Sequence, residues 1–255
     1  MTGLASRRAA AASAASGGLP TVGGLAILVD PGRTTPAEAE VLARSAADEG
    51  AALLLLGNSF GENDGCAECA RALRRGAAGA ISVVQFPSTA AQLVAEVDAV
   101  LLLSLVSGRN PQYLIEEHVR AVPFFRRHPE VLAISTAYCL VDGGHVTSVE
   151  AVSQTRPLPA DKPELVAAHV CAAMMIGMRA VYLDAGSGAR RAVAPELVRA
   201  ARACTTGPML VGGDVRDADG VRAAAAAGAD FVVVGTHFER EGARGVRELA
   251  RAARP

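Results

Sequence analysis

The chain has 255 residues, of which 51% are hydrophobic and 20% are charged, and its net charge is −1 at pH 7. This composition excludes a disordered chain, and it lacks the basic excess of a protein that binds nucleic acid. No apolar run reaches the roughly 18 residues of a membrane-spanning helix. We therefore expect a cytoplasmic protein with a disordered tail over residues 1–20 and a single domain over residues 21–255.

Short apolar runs recur along the chain and are separated by longer stretches with helical spacing. Eight runs are almost uniformly apolar, as strands buried on both faces are. They cover residues 25–29, 51–56, 80–86, 99–105, 131–140, 180–183, 208–211 and 231–234. The spacing between them fits a repeated strand–helix unit. The sequence predicts an α/β fold, a (β/α)8 TIM-type barrel, with a doubly wound open sheet as the alternative.

Local signals refine this outline at two places. Thr35, Pro36 and Glu38 form the pattern that begins a helix: a cap, a first-turn proline and an acidic third residue. The longest interval between strands follows the fifth one, and residues 141–146 have turn chemistry between apolar flanks. We predict a small hairpin or lid there.

The cysteines carry little chemistry of their own. There are five, at positions 66, 69, 139, 171 and 204, and we expect reduced thiols as in a cytosol. Cys66 and Cys69 have the spacing of half a zinc site, but no second pair follows them. We interpret them as neighbouring core residues on one helical turn.

Glycine-bearing segments end the last three predicted strands. They comprise Tyr182, Leu183, Asp184, Ala185, Gly186, Ser187 and Gly188, then Gly212 and Gly213, then Gly235 and Thr236. Glycine lets backbone amides approach a ligand closely, and barrels commonly bind phosphate after strands seven and eight. We predict a phosphate site there; the alternative is that these glycines only turn tight loops.

Oxygen-bearing side chains end the first, second and sixth predicted strands. Asp30 is a good Mg²⁺ ligand, and the Ser59 hydroxyl would complete its coordination; alternatively, Asp30 caps the turn into the first helix. Asp184 stands beside the predicted phosphate site, where a carboxylate serves as a general base. We assign the catalytic roles to Asp184 and Tyr182.

Several of these segments, in this order, resemble the geranylgeranylglyceryl phosphate synthase family with its bacterial heptaprenylglyceryl relatives. The resemblance runs from about residue 23 to residue 240 and so covers most of the chain. The matching segments include Leu28-Val29-Asp30-Pro31, Gly57-Asn58-Ser59, Ser107-Gly108-Arg109-Asn110-Pro111, Val141-Asp142-Gly143-Gly144, Thr147-Ser148-Val149-Glu150, the residues from Tyr182 to Ala189, and Val211-Gly212-Gly213.

The resemblance implies an enzyme that joins a prenyl group, taken from its diphosphate, to the hydroxyl of sn-glycerol 1-phosphate. It implies Mg²⁺ at Asp30 and Ser59, a homodimer or larger homo-oligomer, and a product that passes to a membrane. The prenyl diphosphate side would comprise Arg109, Asn110, Tyr113 and Tyr138, with an apolar groove formed by residues 101–106 and 113–115.

Three positions depart from the family pattern: Gly32, Asn58 and Asp214. Asp214 would place a carboxylate beside the phosphate unless it caps the next helix or pairs with Arg216. These departures keep alternatives open. They are prenyl transfer to another phosphorylated acceptor such as 3-phosphoglycerate, a non-catalytic barrel that binds a prenyl or phosphate ligand, and a phosphate-binding barrel of histidine, tryptophan or thiamine metabolism.

Overall fold

The computed structural model describes residues 19–20, 22–57, 65–235 and 238–253, and in them eight strands follow one another around a closed barrel. The strands are β1 (Gly24–Val29), β2 (Leu53–Leu56), β3 (Ser82–Gln85), β4 (Ala99–Leu105), β5 (Leu132–Leu140), β6 (Ala180–Asp184), β7 (Met209–Gly212) and β8 (Phe231–Val234). All neighbours are parallel, and β1 pairs with both β2 and β8. The predicted barrel is confirmed, and this closure excludes the open sheet.

Helices surround the strands. They are α1 (Pro36–Asp48), α2 (Cys66–Ala77), α3 (Glu117–Arg127), α4 (Ser148–Ser153), α5 (Pro163–Met175), α6 (Pro195–Arg202), α7 (Ala218–Ala226) and α8 (Phe238–Ala252). α1 begins as predicted: the Thr35 hydroxyl accepts from the Glu38 amide, and the Glu38 carboxylate accepts from the Thr35 amide at 2.8 Å. Over the described part of the chain, the helices are too short or too polar to span a bilayer.

Alternate residues of each strand face two different cores. In β2, Leu53 and Leu55 point into the barrel, whereas Leu54 and Leu56 pack outward with the core beneath the helices. All four side chains are fully buried. A strand enclosed on both faces carries apolar residues at every position, which is why the eight runs have no polar alternation.

The third strand–helix unit departs from the prediction of eight complete units. Between β3 and β4 the chain forms only a 3-10 turn, Ala90–Gln92, and no α-helix. The connection over residues 86–98 is long enough for a parallel crossover but leaves little room for a packed helix. The outer layer is therefore thin beside β4, where Leu102 and Leu103 are only partly buried.

The connection after β5 also differs from its prediction. Residues 141–146 do not form a hairpin; they lead into α4, whose first turn is capped by the Thr147 hydroxyl. The loop packs on the one after β6, because the Gly143 carbonyl accepts from the amides of Arg190 and Arg191 at 2.8 and 3.1 Å. The threonine favours a helix here because its hydroxyl accepts a hydrogen bond from an amide of the first helical turn, which otherwise has no partner in the helix.

The predicted tail over residues 1–20 lies mostly outside the described residues. Leu19, at its end, is 2% exposed and packs with the core inside the barrel. An apolar side chain at this position excludes water from one end of that core. Leu19 therefore packs with the domain, although the prediction assigned it to the tail.

The cysteine prediction was half right. Cys171 on α5 and Cys204 after α6 form a disulfide with their Cα atoms 5.0 Å apart, so the expectation of five reduced thiols was wrong. Their separation of 33 residues gave no sign that the two segments are neighbours. Cys66 and Cys69 are core residues on α2, as predicted, and burial raises their pKa values to about 11 and about 12.

Candidate active site

The glycines that end β7 lie against the chain that leaves β6. A Cβ on Gly212 would lie 2.6 Å from the Tyr182 hydroxyl oxygen, and one on Gly213 would lie 2.5 Å from the Ala185 nitrogen. Gly213 also has a φ of +87°, which L side chains rarely adopt. Close packing of the two strand ends therefore requires glycine at both positions and brings the predicted phosphate segments together.

The loop after β6 presents backbone donors to solvent. The Ala185 amide donates to the Gly212 carbonyl at 3.2 Å, and the Gly186 amide donates to Asp184 Oδ1 at 2.8 Å. The amides of Ser187 and Gly188 donate to none of the described residues, and both residues are exposed. Adjacent amides of this kind can bind an anion. In this loop, the available phosphate donors are therefore Ser187 and Gly188.

Asp184, the last residue of β6, is held by two hydrogen bonds. Its Oδ2 accepts from the Tyr138 hydroxyl at 2.6 Å, and its Oδ1 accepts from the Gly186 amide. The residue is 8% exposed. Burial raises the pKa of Asp184 above its ordinary value, and the two hydrogen bonds partly oppose that change. A carboxylate with a raised pKa is a better proton acceptor than an ordinary aspartate.

Three aromatic rings pack together at the mouth of the barrel, and one of them, Tyr138, donates its hydroxyl to this carboxylate. The Tyr138 ring centroid lies 5.5 Å from that of Tyr182 and 5.9 Å from that of Phe86. The Phe86 and Tyr182 centroids are 5.0 Å apart. Tyr138, which the sequence placed with the prenyl diphosphate alone, thus also contacts the predicted base. Burial raises the pKa values of both tyrosines, so their hydroxyls stay protonated at neutral pH.

An apolar cavity lies beside Tyr138, among β4, α3 and α4. The space between its walls, including the open mouth that solvent can enter, amounts to about 770 Å³. Its wall comprises Phe86, Pro87, Ser88, Thr89, Ala90, Leu93, Leu101, Leu102, Leu103, Leu105, Tyr113, Glu117, His118, Ala121, Tyr138, Val149, Val152 and Ser153. The cavity occupies the thin outer layer beside β4, where the third helix is missing, and contains Tyr113 and most of the predicted groove.

Arg109 and Asn110 hold the loop after β4 in place. The Asn110 side-chain amide donates to the Ser153 carbonyl at 2.9 Å, so it joins this loop to α4. The exposed Arg109 donates to the Gly108 carbonyl at 2.6 Å, and its Nη2 lies 3.3 Å from His169 Nε2. Their roles toward the prenyl diphosphate stay predictions.

Asp30 lies at the carboxyl end of β1. Its Oδ1 accepts from the Gly32 amide at 2.8 Å, and Arg33 Nε is 3.6 Å from its Oδ2. Over the described ranges, no three His, Cys, Asp or Glu side chains are grouped as a metal site. The other predicted ligand, Ser59, and the predicted phosphate contact Thr236 lie outside the described residues.

Asp214 does not cap the following helix. α7 is capped by Asp217, whose Oδ1 accepts from the Gly220 amide at 2.8 Å. Asp214 has a φ of +58°, and its carboxylate accepts from Arg216 Nε at 2.5 Å. Of the two arrangements considered for Asp214, pairing with Arg216 is confirmed and helix capping was wrong.

Sequence comparison assigns the chain to a family. A model of the PcrB family matches residues 25–253. The chain belongs to the PcrB family. It is 36% identical over 227 residues to the geranylgeranylglyceryl phosphate synthase of Chitinophaga pinensis, a match that covers 89% of this chain and 88% of that protein. The protein of the same name from Korarchaeum cryptofilum is 38% identical over 231 residues, covering 89% of this chain and 93% of the other.

Solved structures agree with this assignment. The chain is similar to (S)-3-O-geranylgeranylglyceryl phosphate synthase from Thermoplasma acidophilum, solved in complex with its substrate sn-glycerol-1-phosphate, with a TM-score of 0.83 and 26% identity. The match covers 91% of this chain and 94% of that one. The resemblance found in the sequence is confirmed, and this PcrB-family chain is an enzyme of the prenyltransferase class.

The cavity of this PcrB-family protein includes residues that sequence reasoning missed. Val149 and Val152 on α4, and His118 and Ala121 on α3, line its wall. Each pair is spaced three residues apart, so each lies on one face of its helix. That spacing was the available signal, but it did not show that the two faces meet across a cavity.

Proposed function

We propose that this PcrB-family protein transfers a geranylgeranyl group from its diphosphate to the free hydroxyl of sn-glycerol 1-phosphate. The position of Tyr138 carries the proposal: its side chain lines the apolar cavity, and its hydroxyl donates to Asp184 at 2.6 Å. A cavity suited to a hydrocarbon chain and a carboxylate beside a phosphate loop therefore meet at one side chain. The named relatives and the solved substrate complex support the same reaction.

The cavity favours a long hydrocarbon chain on the donor side. Burying each methylene group contributes about 0.8 kcal/mol, so a prenyl chain binds without polar contacts along its length. Glu117 in the wall brings no unpaired charge, because its carboxylate accepts from the Ala90 amide and from Arg120, both at 2.7 Å.

The loop after β6 favours a phosphate on the acceptor side. The amides of Ser187 and Gly188 donate to the phosphate oxygens, which leaves the glycerol part of the acceptor near Asp184. The carboxylate of Asp214 does not oppose this binding as an isolated charge, because Arg216 neutralises it. The departure from the family pattern at Asp214 is therefore compatible with phosphate binding.

Asp30 fits a magnesium ion by its chemistry. Its side chain is 31% exposed at the carboxyl end of β1. Mg²⁺ uses one or two protein carboxylates and completes its shell with water and substrate phosphates, so this carboxylate suffices. Asp30 would hold the ion, together with the predicted ligand Ser59. Bound there, magnesium would neutralise the charge of the leaving diphosphate.

The reaction exchanges one carbon–oxygen bond for another. The acceptor hydroxyl oxygen bonds to C1 of the prenyl group while the bond from C1 to the diphosphate oxygen breaks, and diphosphate leaves with the bonding electrons. Asp184 takes the hydroxyl proton, which its raised pKa favours. Tyr138 and the Gly186 amide fix the orientation of the carboxylate, and alignment of the two substrates lowers the barrier further.

The test uses purified protein, Mg²⁺ and labelled geranylgeranyl diphosphate, with mass spectrometry of the products. The acceptors are sn-glycerol 1-phosphate, sn-glycerol 3-phosphate, 3-phosphoglycerate and none, each with and without EDTA. We expect an ether product with sn-glycerol 1-phosphate that disappears with EDTA. A product with 3-phosphoglycerate alone would mean that this compound, and not sn-glycerol 1-phosphate, is the acceptor. Binding of the diphosphate without any product would mean that the barrel binds its ligand without catalysis.

A cytoplasmic location stays a prediction from the composition and the cysteines. A homodimer or larger homo-oligomer and passage of the product to a membrane stay predictions of the family resemblance. Size-exclusion chromatography with light scattering tests the oligomeric state. Flotation of the protein with vesicles, before and after turnover, tests its association with the membrane that receives the product.

A further inference from the structure

The loop after β5 forms a second wall around the exposed amides of the phosphate loop. Gly143 packs so closely on the β6 loop that an added Cβ would lie 2.6 Å from the Ala185 carbonyl oxygen. On its other side, Thr147 packs on Gly186, where an added Cβ would lie 2.3 Å from the Thr147 methyl carbon. These contacts fix the β5 loop at both ends, so the residues between them have a defined position relative to Ser187 and Gly188.

His145 lies between those two fixed points, beside Gly188. A Cβ added to Gly188 would lie 3.9 Å from His145 Nε2, the one contact within 4 Å from described residues that are not its chain neighbours. His145 Nδ1 is buried and has no hydrogen-bond partner among the described residues. A half-buried imidazole whose buried nitrogen lacks a partner is unusual, because unsatisfied buried polar groups are destabilising. The ring therefore stands beside Gly188, one of the two residues with an available amide, with its Nδ1 unpaired.

We propose that His145 is a third donor to the acceptor phosphate, together with the amides of Ser187 and Gly188. This inference rests on the proposed function for the identity of the phosphate compound. A phosphate dianion only accepts hydrogen bonds, so it selects the imidazole form that carries a proton on the nitrogen facing it. His145 contacts the phosphate end of the acceptor, away from the reacting hydroxyl, and so determines acceptor affinity.

The test separates hydrogen bonding from packing with two substitutions. His145→Leu keeps much of the side-chain volume without a donor, whereas His145→Gln keeps an N–H group at similar reach. His128→Leu is the matched control, because His128 follows α3 and pairs with Glu130, away from the site. Circular dichroism and thermal unfolding confirm that each variant is folded.

We expect His145→Leu to raise the KM for sn-glycerol 1-phosphate about tenfold, or about 1.4 kcal/mol. Its kcat and its KM for geranylgeranyl diphosphate stay within about twofold, because uniform loss of binding raises only the KM of the ligand concerned. His145→Gln recovers most of the affinity. The concentration of inorganic phosphate that half-saturates thermal stabilisation rises with His145→Leu by a similar factor.

The outcomes distinguish this inference from the proposed function. Ether formation by wild type together with an unchanged acceptor KM in His145→Leu would overturn the role of His145 alone. So would an equal rise in both KM values, or no recovery by His145→Gln. Phosphate binding that depends on His145, with no ether product from any acceptor, would support the role of His145 while the proposed function fails. No stabilisation of wild type by inorganic phosphate or sn-glycerol 1-phosphate would overturn both.

Discussion

The two halves of the barrel mouth are built in opposite ways. The half that the proposed function assigns to the acceptor, here called the acceptor half, lies at the ends of β6 and β7. Its segments approach each other closely, with glycine at positions where a Cβ would collide. The half beside β4 is the one proposed to bind the prenyl donor and is here called the donor half. A 3-10 turn replaces the third helix there, and an apolar cavity occupies that part of the outer layer. One half is rigid and polar, and the other is open and apolar.

This difference matches the chemistry that the proposed function assigns to each half. A phosphate is small and fixed in shape, so donors held by tight packing recognise it well. A prenyl chain is long and has no hydrogen-bonding groups, so it needs apolar volume more than a fixed geometry. Tyr138 belongs to both halves, since it lines the cavity and donates to Asp184.

The largest effect is expected from Asp184→Asn in the acceptor half. An amide keeps the size of the side chain and an acceptor for Tyr138, but it cannot take the hydroxyl proton. We expect kcat to fall by about 10² to 10⁴, the usual range for loss of a general base, with little change in either KM. Steady-state kinetics with both substrates measures this. Asp219→Asn, on the exposed surface of α7, serves as the control. A loss of less than threefold would show that Asp184 only positions the acceptor.

The second prediction tests whether close packing defines the acceptor half. Gly213→Ala would place a Cβ 2.5 Å from the Ala185 nitrogen at a φ of +87°, whereas Gly79→Ala has a similar φ of +79° with nothing within 4 Å. The control should lose about 1 to 2 kcal/mol of stability from backbone strain alone. Gly213→Ala should lose about 1 to 3 kcal/mol more from overpacking, together with acceptor affinity.

Urea unfolding of both variants measures that difference directly. Equal losses of unfolding free energy would mean that the β6 and β7 ends can separate, and that the acceptor half is not rigid. An unchanged acceptor KM in a destabilised Gly213→Ala would place the phosphate away from these strand ends.

The strand-end segments around Asp184 and Gly213 could be located in the sequence because Gly212 and Gly213 are required by their close neighbours. Their role in binding phosphate stays a prediction. The eight strands could also be predicted from the sequence, because burial on both faces leaves uniform apolar runs. Asp214 was ambiguous, since pairing and capping both suit an aspartate after a strand, and only the structure shows that Asp217 provides the cap.

The donor half could not be predicted in the same way. An absent helix leaves no motif, although the short interval between the ends of the third and fourth runs was a signal. The cavity wall comes from several elements, and its Val149 and Val152 lie on a helix that follows the predicted hairpin or lid over residues 141–146. Thr147 and Glu150 have the spacing of a helix cap, a signal that was present in the sequence and not used.

The third prediction fills the donor half. Ala121 on α3 lines the cavity, whereas Val119 on the same helix is 64% exposed, so Ala121→Phe and Val119→Phe form a matched pair. We expect Ala121→Phe to raise the KM for geranylgeranyl diphosphate about tenfold, the effect of losing about two buried methylene groups. A shorter donor such as farnesyl diphosphate should be affected less. Equal changes for both donors would mean that the substitution distorts the site without shortening the cavity.

The smallest effect concerns the residue that the two halves share. Tyr138→Phe removes the hydrogen bond that stabilises the Asp184 carboxylate, so the pKa of that carboxyl, already raised by burial, should rise further. Because the reaction needs the carboxylate, activity falls as pH decreases through this pKa, and the acidic limb of the kcat profile should move to higher pH. A hydrogen bond to a charged group contributes about 1.5 kcal/mol or more, which corresponds to about one pH unit.

The pH dependence of kcat for wild type and Tyr138→Phe checks this shift, with Tyr113→Phe as the control in the same cavity wall. At high pH the two profiles should converge, because Asp184 is ionised in both proteins. An acidic limb that stays in place, with a raised KM for the prenyl donor, would assign Tyr138 to the donor half alone. An acidic limb that moves without any change in the KM for the prenyl donor would assign Tyr138 to the acceptor half. The size of the limb shift relative to the change in donor KM therefore measures how strongly Tyr138 couples the two halves.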